Sequence, residues 1–194
     1  TATARGVRSS MNDSDLIRRS QRGDGAAFRR LYERHVHLAL RTAYSVLRDR
    51  ALAEDAVQEA FVRAFNNIAK VDAERPFGPW LTRIVVNEAI RLAQWRRKGG
   101  EPTADDFRQV APANTEREIT QSERRQILLD CVALLPAELS ALVVLKYFRE
   151  FTDPEIAETM ECPIGTVKSR LARARTMLRD ACLQRGLTLA LEES

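Results

Sequence analysis

Residues 152–179, TDPEIAETMECPIGTVKSRLARARTMLR, constrain this chain most, because they read as two short helices joined by a tight turn. Thr152 can cap the first helix, with Glu155 three residues on where a capping box needs it. Pro154 is tolerated in the first turn, where its missing N–H has no partner to lose. Ile156, Ala157 and Met160 supply a short apolar stripe, and Glu161-Cys162-Pro163 breaks it, since helices rarely run through the residue before proline. Ile164, Val167, Leu171, Ala174 and Leu178 then recur at spacings of three and four, one apolar face of a second helix. Its other side carries Lys168, Arg170, Arg173, Arg175 and Arg179. Its start is small and polar, with Gly165, Thr166 and Ser169. That layout fits a helix-turn-helix whose second helix enters a DNA major groove tip first. Plain packing and a solvated arginine face produce a similar pattern. The lack of bulk at the tip favours DNA.

The rest of the chain reads as helices too, and no segment alternates as a half-buried strand would. Asn12–Arg22 forms a short helix ended by Gly23. Asp24 caps the next, with Phe28, Leu31, Tyr32, His35, Ala39, Ala43, Val46 and Leu47 as its core stripe. Asp49 opens a third, with Leu52, Ala56, Val57, Ala60, Phe61, Ala64 and Ile68 inward. A fourth spans roughly 78–98. Residues 99–121, rich in Gly, Pro and acids, mark a linker. Helical periodicity resumes near Ser122 through Ile127, Leu128, Cys131, Leu134 and Leu135, is cut by Pro136, and continues over 139–148. The expected architecture is all-α: a disordered lead (1–10), a helical domain (11–98), a flexible acidic linker (99–121), a helix-turn-helix domain (122–185) and a tail (186–194).

Charge is unevenly spread. Residues 11–98 carry 17 basic against 11 acidic groups, the linker two against five, and the remainder ten against eleven. Positive charge in the last part is therefore concentrated on one helix, which suits a directed phosphate contact. Three scattered cysteines, Cys131, Cys162 and Cys182, argue against a disulfide scaffold and for a reducing compartment. Cys131 reads as core and Cys162 as a small hydrophobe in the turn. No apolar run approaches the ~20 residues of a membrane span, and the N-terminus lacks the apolar core of a secretory signal. The chain thus reads as cytoplasmic.

Two faces of the first domain stand out. On the fourth helix, Trp80, Leu81, Ile84, Val85, Leu92 and Trp95 can pack inward. Arg83, Asn87, Arg91, Gln94 and Lys98 share another face, offering cations to phosphates and amides to base edges. The loop 69–79 before it could cradle an unstacked base. On the third helix, Asp55, Gln58, Glu59, Val62 and Asn66 form an acidic, amide-bearing face suited to a basic protein partner. His35 and His37, two apart on a helix, point to nearly opposite sides and make no metal pair. No phosphate-binding glycine loop, nucleophile elbow or catalytic carboxylate pair is present, so neither an enzyme nor a cofactor is expected.

Taken in order, GDGAAFRRLYERH, DAVQEAFVRAF, FGPWLTRIVVNEA, a variable linker, LPAELSALVVLKYF and EIAETMECPIGTVKSRLARAR resemble the extracytoplasmic-function sigma factors of bacterial RNA polymerase. The resemblance covers nearly all of residues 12–185. Asp153-Pro154 departs from the usual helix start, which affects capping more than contact. The resemblance implies that Asp55, Gln58 and Glu59, supported by Phe61 and beside exposed Val62, grip the coiled coil of the polymerase clamp. It implies that the loop before Trp80 and the helix bearing Arg83, Asn87, Arg91, Gln94 and Lys98 melt and read the −10 element. The helix with Gly165, Thr166, Lys168, Ser169, Arg170, Arg173 and Arg175 then reads the −35 element. It also implies a linker that runs through the polymerase, and a one-to-one anti-sigma inhibitor covering both domains. The alternative is a dimeric helix-turn-helix regulator, which explains the second domain but not the two faces of the first.

Overall fold

The computed structural model describes residues 12–99 and 120–187. The expected lead at 1–10, linker residues 100–119 and tail residues 188–194 lie outside the described residues. Every regular element among the described residues is helical, in keeping with the all-α expectation. The first unit comprises α1 (Asp13–Gln21), α2 (Gly25–Leu47), α3 (Arg50–Asn67), which tightens into a 3-10 turn at Ile68–Lys70, and α4 (Phe77–Arg97). The second comprises α5 (Gln121–Ala133), α6 (Ala137–Val143), which widens into a π-helical turn at Val144–Phe148, α7 (Asp153–Thr159) and α8 (Ile164–Leu183).

Local chemistry sets the helix starts. Asn12 accepts from Asp15 N–H, Asp24 from Ala26 and Ala27, and Asp49 from Leu52, so each satisfies donors the helix cannot. Thr152 and Glu155 form the expected capping box, and Thr120 with Glu123 forms a second. The stop before α8 is also as expected, with Glu161 in the left-handed region at φ 49° and Pro163 as the N-cap.

The inward face of α3 carries Ala53, Ala56, Ala60 and Ala64, all buried. Side chains this small let α3 lie close against both α2 and α4. Leu31, Phe77, Val85 and Val86 fill the remaining space. Helix α1 braces the loop before α4: Gln21 Nε2 donates to the carbonyls of Ile68 (3.1 Å) and Val71 (2.7 Å), and Arg18 pairs with Glu74. In the second unit α5, α6 and α7 all pack on α8, around buried Cys131, Leu142, Leu145, Ile156 and Leu171.

Four residues expected in the core are not there. Tyr32 is 43% exposed, because Phe28, Tyr32, Val36 and Leu40 wind off the inward face of α2 by about 40° per step of four. Trp95 is 51% exposed, near the C-terminal end of α4. Ile164 and Leu134 are also exposed, one the first residue of α8 and the other the C-cap of α5.

The two units pack together, α2 against α5 and α6, and α4 against α6. Ser140 donates to the carbonyl of Ser45, and Arg48 pairs with Asp130.

Candidate functional site

Three surfaces gather the residues singled out by sequence. The first is a groove of about 680 Å³ between α2 and α3. Its floor is aromatic: Phe28 meets Phe65 edge to face at 5.0 Å, and Tyr32 meets Phe61 at 4.7 Å. Gln58 and Val62 line it, and exposed Asp55 and half-exposed Glu59 lie on the same helix. Phe61 is buried beneath, as support. Sequence reading had placed Phe28 and Tyr32 in the core and missed Phe65. A repeated spacing of four along α2 (Phe28, Tyr32, Val36, Leu40) was the available signal, since it drifts off a single buried face.

The second is a pocket of about 360 Å³ where the end of α3 meets α4. Arg63, Asn67 and Lys70 line one wall, and Trp80, Ile84, Asn87 and Glu88 the other. An indole, two amides and two cations around one cavity can stack a base, bond its edge and hold a phosphate. Trp80 is fixed by Phe77, its ring centroid 5.5 Å away, and Phe77 is fixed by His35 at 5.2 Å. His35 Nε2 lies 2.7 Å from Asp13 Oδ2, whereas His37 is exposed. Burial raises the Asp13 carboxyl, but hydrogen bonds from Arg34 and His35 outweigh it and leave the pKa below the ordinary value. Sequence reading missed Arg63, Asn67 and Lys70. Their spacing of four and three is a polar stripe that could have been found.

The six nominees of α4 divide. Trp80 and Asn87 enter the pocket, and Arg91 sits beside it, bonded through Nε to Glu88 at 2.8 Å. Lys98 is exposed at the helix end. Arg83 and Gln94 instead meet the second unit. Arg83 makes a two-pronged contact with Glu158 of α7, and Gln94 Nε2 donates to Glu138 of α6 at 3.2 Å. The Arg83 bond holds the Glu158 carboxyl below its usual range.

The third surface is the outer side of α8. Val167, Leu171, Ala174, Leu178 and Cys182 face inward. Gly165, Lys168, Ser169, Arg173 and Arg179 are exposed, while Thr166 and Arg175 are half-buried. Ser169 Oγ turns back onto the Thr166 carbonyl at 3.0 Å. Arg170 leaves this set, its Nη1 lying 3.6 Å from Glu138 Oε2. Glu138 therefore touches one nominee from each unit.

Among the described residues, no group of three or more His, Cys, Asp or Glu side chains could hold a metal, and no helix is long and apolar enough to cross a membrane.

Comparison with known proteins finds matches to both units of the chain. The family model "Sigma-70 region 2" matches residues 31–100, which hold the pocket and all of the groove's lining but Phe28. "Sigma-70, region 4" matches residues 125–178, which hold most of α8. The chain is 34% identical over 182 residues to the ECF RNA polymerase sigma-E factor of Haemophilus influenzae, covering 88% of this chain and 95% of that protein. It is 31% identical to the RNA polymerase sigma-H factor of Pseudomonas aeruginosa, covering 89% and 94%. Among solved structures it is similar to CnrH in complex with the cytosolic domain of CnrY, with a TM-score of 0.59 and 25% identity, covering 88% of this chain and 96% of that one. It shares its fold with the sigma factor RpoE of Bartonella quintana, solved with the anti-sigma factor NepR, with a TM-score of 0.58, 23% identity, and 80% and 96% coverage.

Proposed function

Because this chain belongs to the extracytoplasmic-function sigma factors of the sigma-70 family, we propose a division of promoter recognition among its three surfaces. The chain is an alternative sigma factor: it binds core RNA polymerase, directs it to particular promoters and promotes melting there. The family consists of non-enzymatic initiation factors, and the chain works in the cytoplasm with polymerase.

The α2–α3 groove takes an apolar ridge of the polymerase clamp, and Asp55, Gln58 and Glu59 meet basic groups around it. Aromatic floors of this kind supply most of the energy of an interface, while the charged rim sets approach and register. The pocket holding Trp80 and Asn87 captures an unstacked base of the −10 element, and Arg63, Lys70 and Arg91 hold its phosphates. Flipping a base costs only about a few kcal/mol, so capture by stacking and charge opens DNA without ATP. The exposed tip of α8, with Lys168, Ser169 and Arg173, reads the −35 element.

Each surface alone binds weakly and in a salt-sensitive way. Joined by one linker and fixed at promoter spacing by polymerase, they bind together through effective concentration. Arg83 and Gln94 are held by carboxylates of the second unit, and Arg170 by Glu138 of its own, so the units part before Arg83 and Gln94 meet DNA, and Arg170 has to leave Glu138. An anti-sigma factor binds one-to-one and holds the chain away from polymerase.

The pocket carries this reading, because the two residue types that melt and read a single strand are brought together there by two helices. The test is transcription from fragmented genomic DNA with bacterial core polymerase, with and without the chain. Discrete new starts sharing upstream elements are expected. No new starts, with tight palindromic binding by a dimer of the chain alone, would move the reading to a conventional regulator.

A further inference from the structure

Glu88 is out of place in a site for a polyanion. It lines the pocket, and a carboxylate there repels phosphate. It is also only 2% exposed, and an isolated buried charge is strongly unfavourable. Both costs are offset by what it touches. Glu88 Oε1 lies 2.9 Å from Arg63 Nη1, and Oε2 lies 2.8 Å from Arg91 Nε. One arginine comes from α3 and the other from α4, so the carboxylate ties together the two helices that wall the pocket. The arginines stay half-exposed, 49% and 54%. Arg63 spends its Nε on Glu59 at 3.0 Å, and Arg91 keeps its terminal nitrogens.

We propose that Glu88 is a positioning residue for strand capture, its buried carboxylate fixing Arg63 and Arg91 at the pocket rim for the phosphates of the unstacked strand. The inference rests on reading the pocket as the −10 site. Arginine side chains have many rotamers, and fixing two of them before DNA arrives removes an ordering cost from binding. The same network joins the clamp-facing helix to the pocket, because Arg63 bridges Glu59 and Glu88.

The sign of one substitution separates this from a charge effect. Glu88→Gln keeps the shape and removes a negative charge near DNA. Coulomb repulsion alone predicts tighter binding. Positioning predicts weaker binding, because both arginines lose their anchor.

The experiment uses holoenzyme from bacterial core polymerase and the full chain. The probe is a fork-junction DNA from a promoter the wild type uses, single-stranded over the −10 nontemplate strand. Glu88→Gln is expected to weaken binding about tenfold, the size of ordering two such side chains. Arg91→Gln should weaken binding less in the Glu88→Gln background than in the wild type, and co-purification with core should not change. Equal or tighter binding by Glu88→Gln overturns the proposal. So does a lost preference at one −10 base with unchanged affinity, which would make Glu88 a direct base reader. Trp80→Ala separates the two levels. If it leaves fork-junction binding intact, the pocket is not the −10 site and both readings fail. If it weakens binding and Glu88→Gln does not, only this one fails. Should Glu88→Gln melt below assay temperature, Arg91→Lys keeps the charge but loses the planar fork. It is then expected to bind about threefold more weakly, and wild-type affinity would overturn the proposal.

Discussion

Three thiols in this chain meet different surroundings. Cys131 and Cys182 are fully buried, on α5 and α8, and Cys162 is part-exposed in the turn between α7 and α8. Burial first, then the neighbouring Cys131, pushes the Cys182 thiol up to about 12. The nucleophile is the thiolate, so Cys182 is inert at neutral pH while the fold is intact. A disulfide reagent should therefore modify Cys162 quickly in the native chain, and the other two only after denaturation. More than one fast thiol would show that α5 and α8 open. The core place of Cys131 was legible from helical spacing. Its meeting with Cys182 was not, because it depends on two helices far apart in sequence. Caps were legible for the opposite reason: Asp24 and Asp49 accept from donors, and Thr152 donates to Glu155, all within three residues. Thr152→Ala should cost about 1 kcal/mol in a denaturant melt. Hydrogen bonds from the Thr152 hydroxyl and N–H hold the Glu155 carboxyl below its ordinary 4.5. A lowered acid stabilises above its unfolded value and loses that stability as pH falls through the folded one. Glu155→Gln should therefore flatten the melting profile on the acid side of 4.5; an unchanged acid limb would mean the box adds no linkage.

At the scale of one helix, α3 presents unlike faces two residues apart. Ala60 is fully buried, whereas Val62 is 48% exposed at the groove. Ala60→Leu should overpack the contact with α2 and α4 and cost about 1–3 kcal/mol. Val62→Asp should leave the melt within about 0.5 kcal/mol and lose co-purification with core polymerase. If Val62→Asp co-purifies normally, the groove is not the clamp site. The inward face of α3 was legible but for Ala53, since Leu52, Ala56, Val57, Ala60, Phe61, Ala64 and Ile68 are all buried. One element of regular period writes its own pattern. Helix α2 did not yield so readily. Its aromatics serve both the core and the groove, and the sequence records that both flanks are apolar without recording which one meets solvent. The pocket was half legible for the same reason. Trp80 and Asn87 stand in one helix, but their partners Arg63, Asn67 and Lys70 come from another.

For the whole molecule, the question is what holds the two units together and how firmly. Exposed ion pairs add little, so the Arg83–Glu158 pair and the Gln94–Glu138 hydrogen bond cannot hold the interface by themselves. Contacts of α2 with α5 and α6 and of α4 with α6, together with the Arg48–Asp130 pair, supply the rest. The interface is also imperfect, for Arg83 Nε and Arg149 Nε are buried without an acceptor among the described residues. Burial, then Arg41, pushes the Arg149 guanidinium down. An unsatisfied buried donor costs about 1–3 kcal/mol, which works against the packed state. On the proposed division of surfaces, the two glutamates act mainly on specificity, occupying two cations and an amide assigned there to DNA. Glu138→Ala with Glu158→Ala should free Arg83, Gln94 and Arg170 together. The expected readout is a modest gain in duplex binding by the chain without polymerase, since exposed contacts of this kind are weak. The distance between spin labels on α4 and α7 should broaden in the same variant. Acid should act in the same direction, because protonating Glu158 below its lowered value releases Arg83. Unchanged label distances, with unchanged polymerase-free binding, would mean that apolar packing alone sets the closed arrangement and the carboxylates guard nothing.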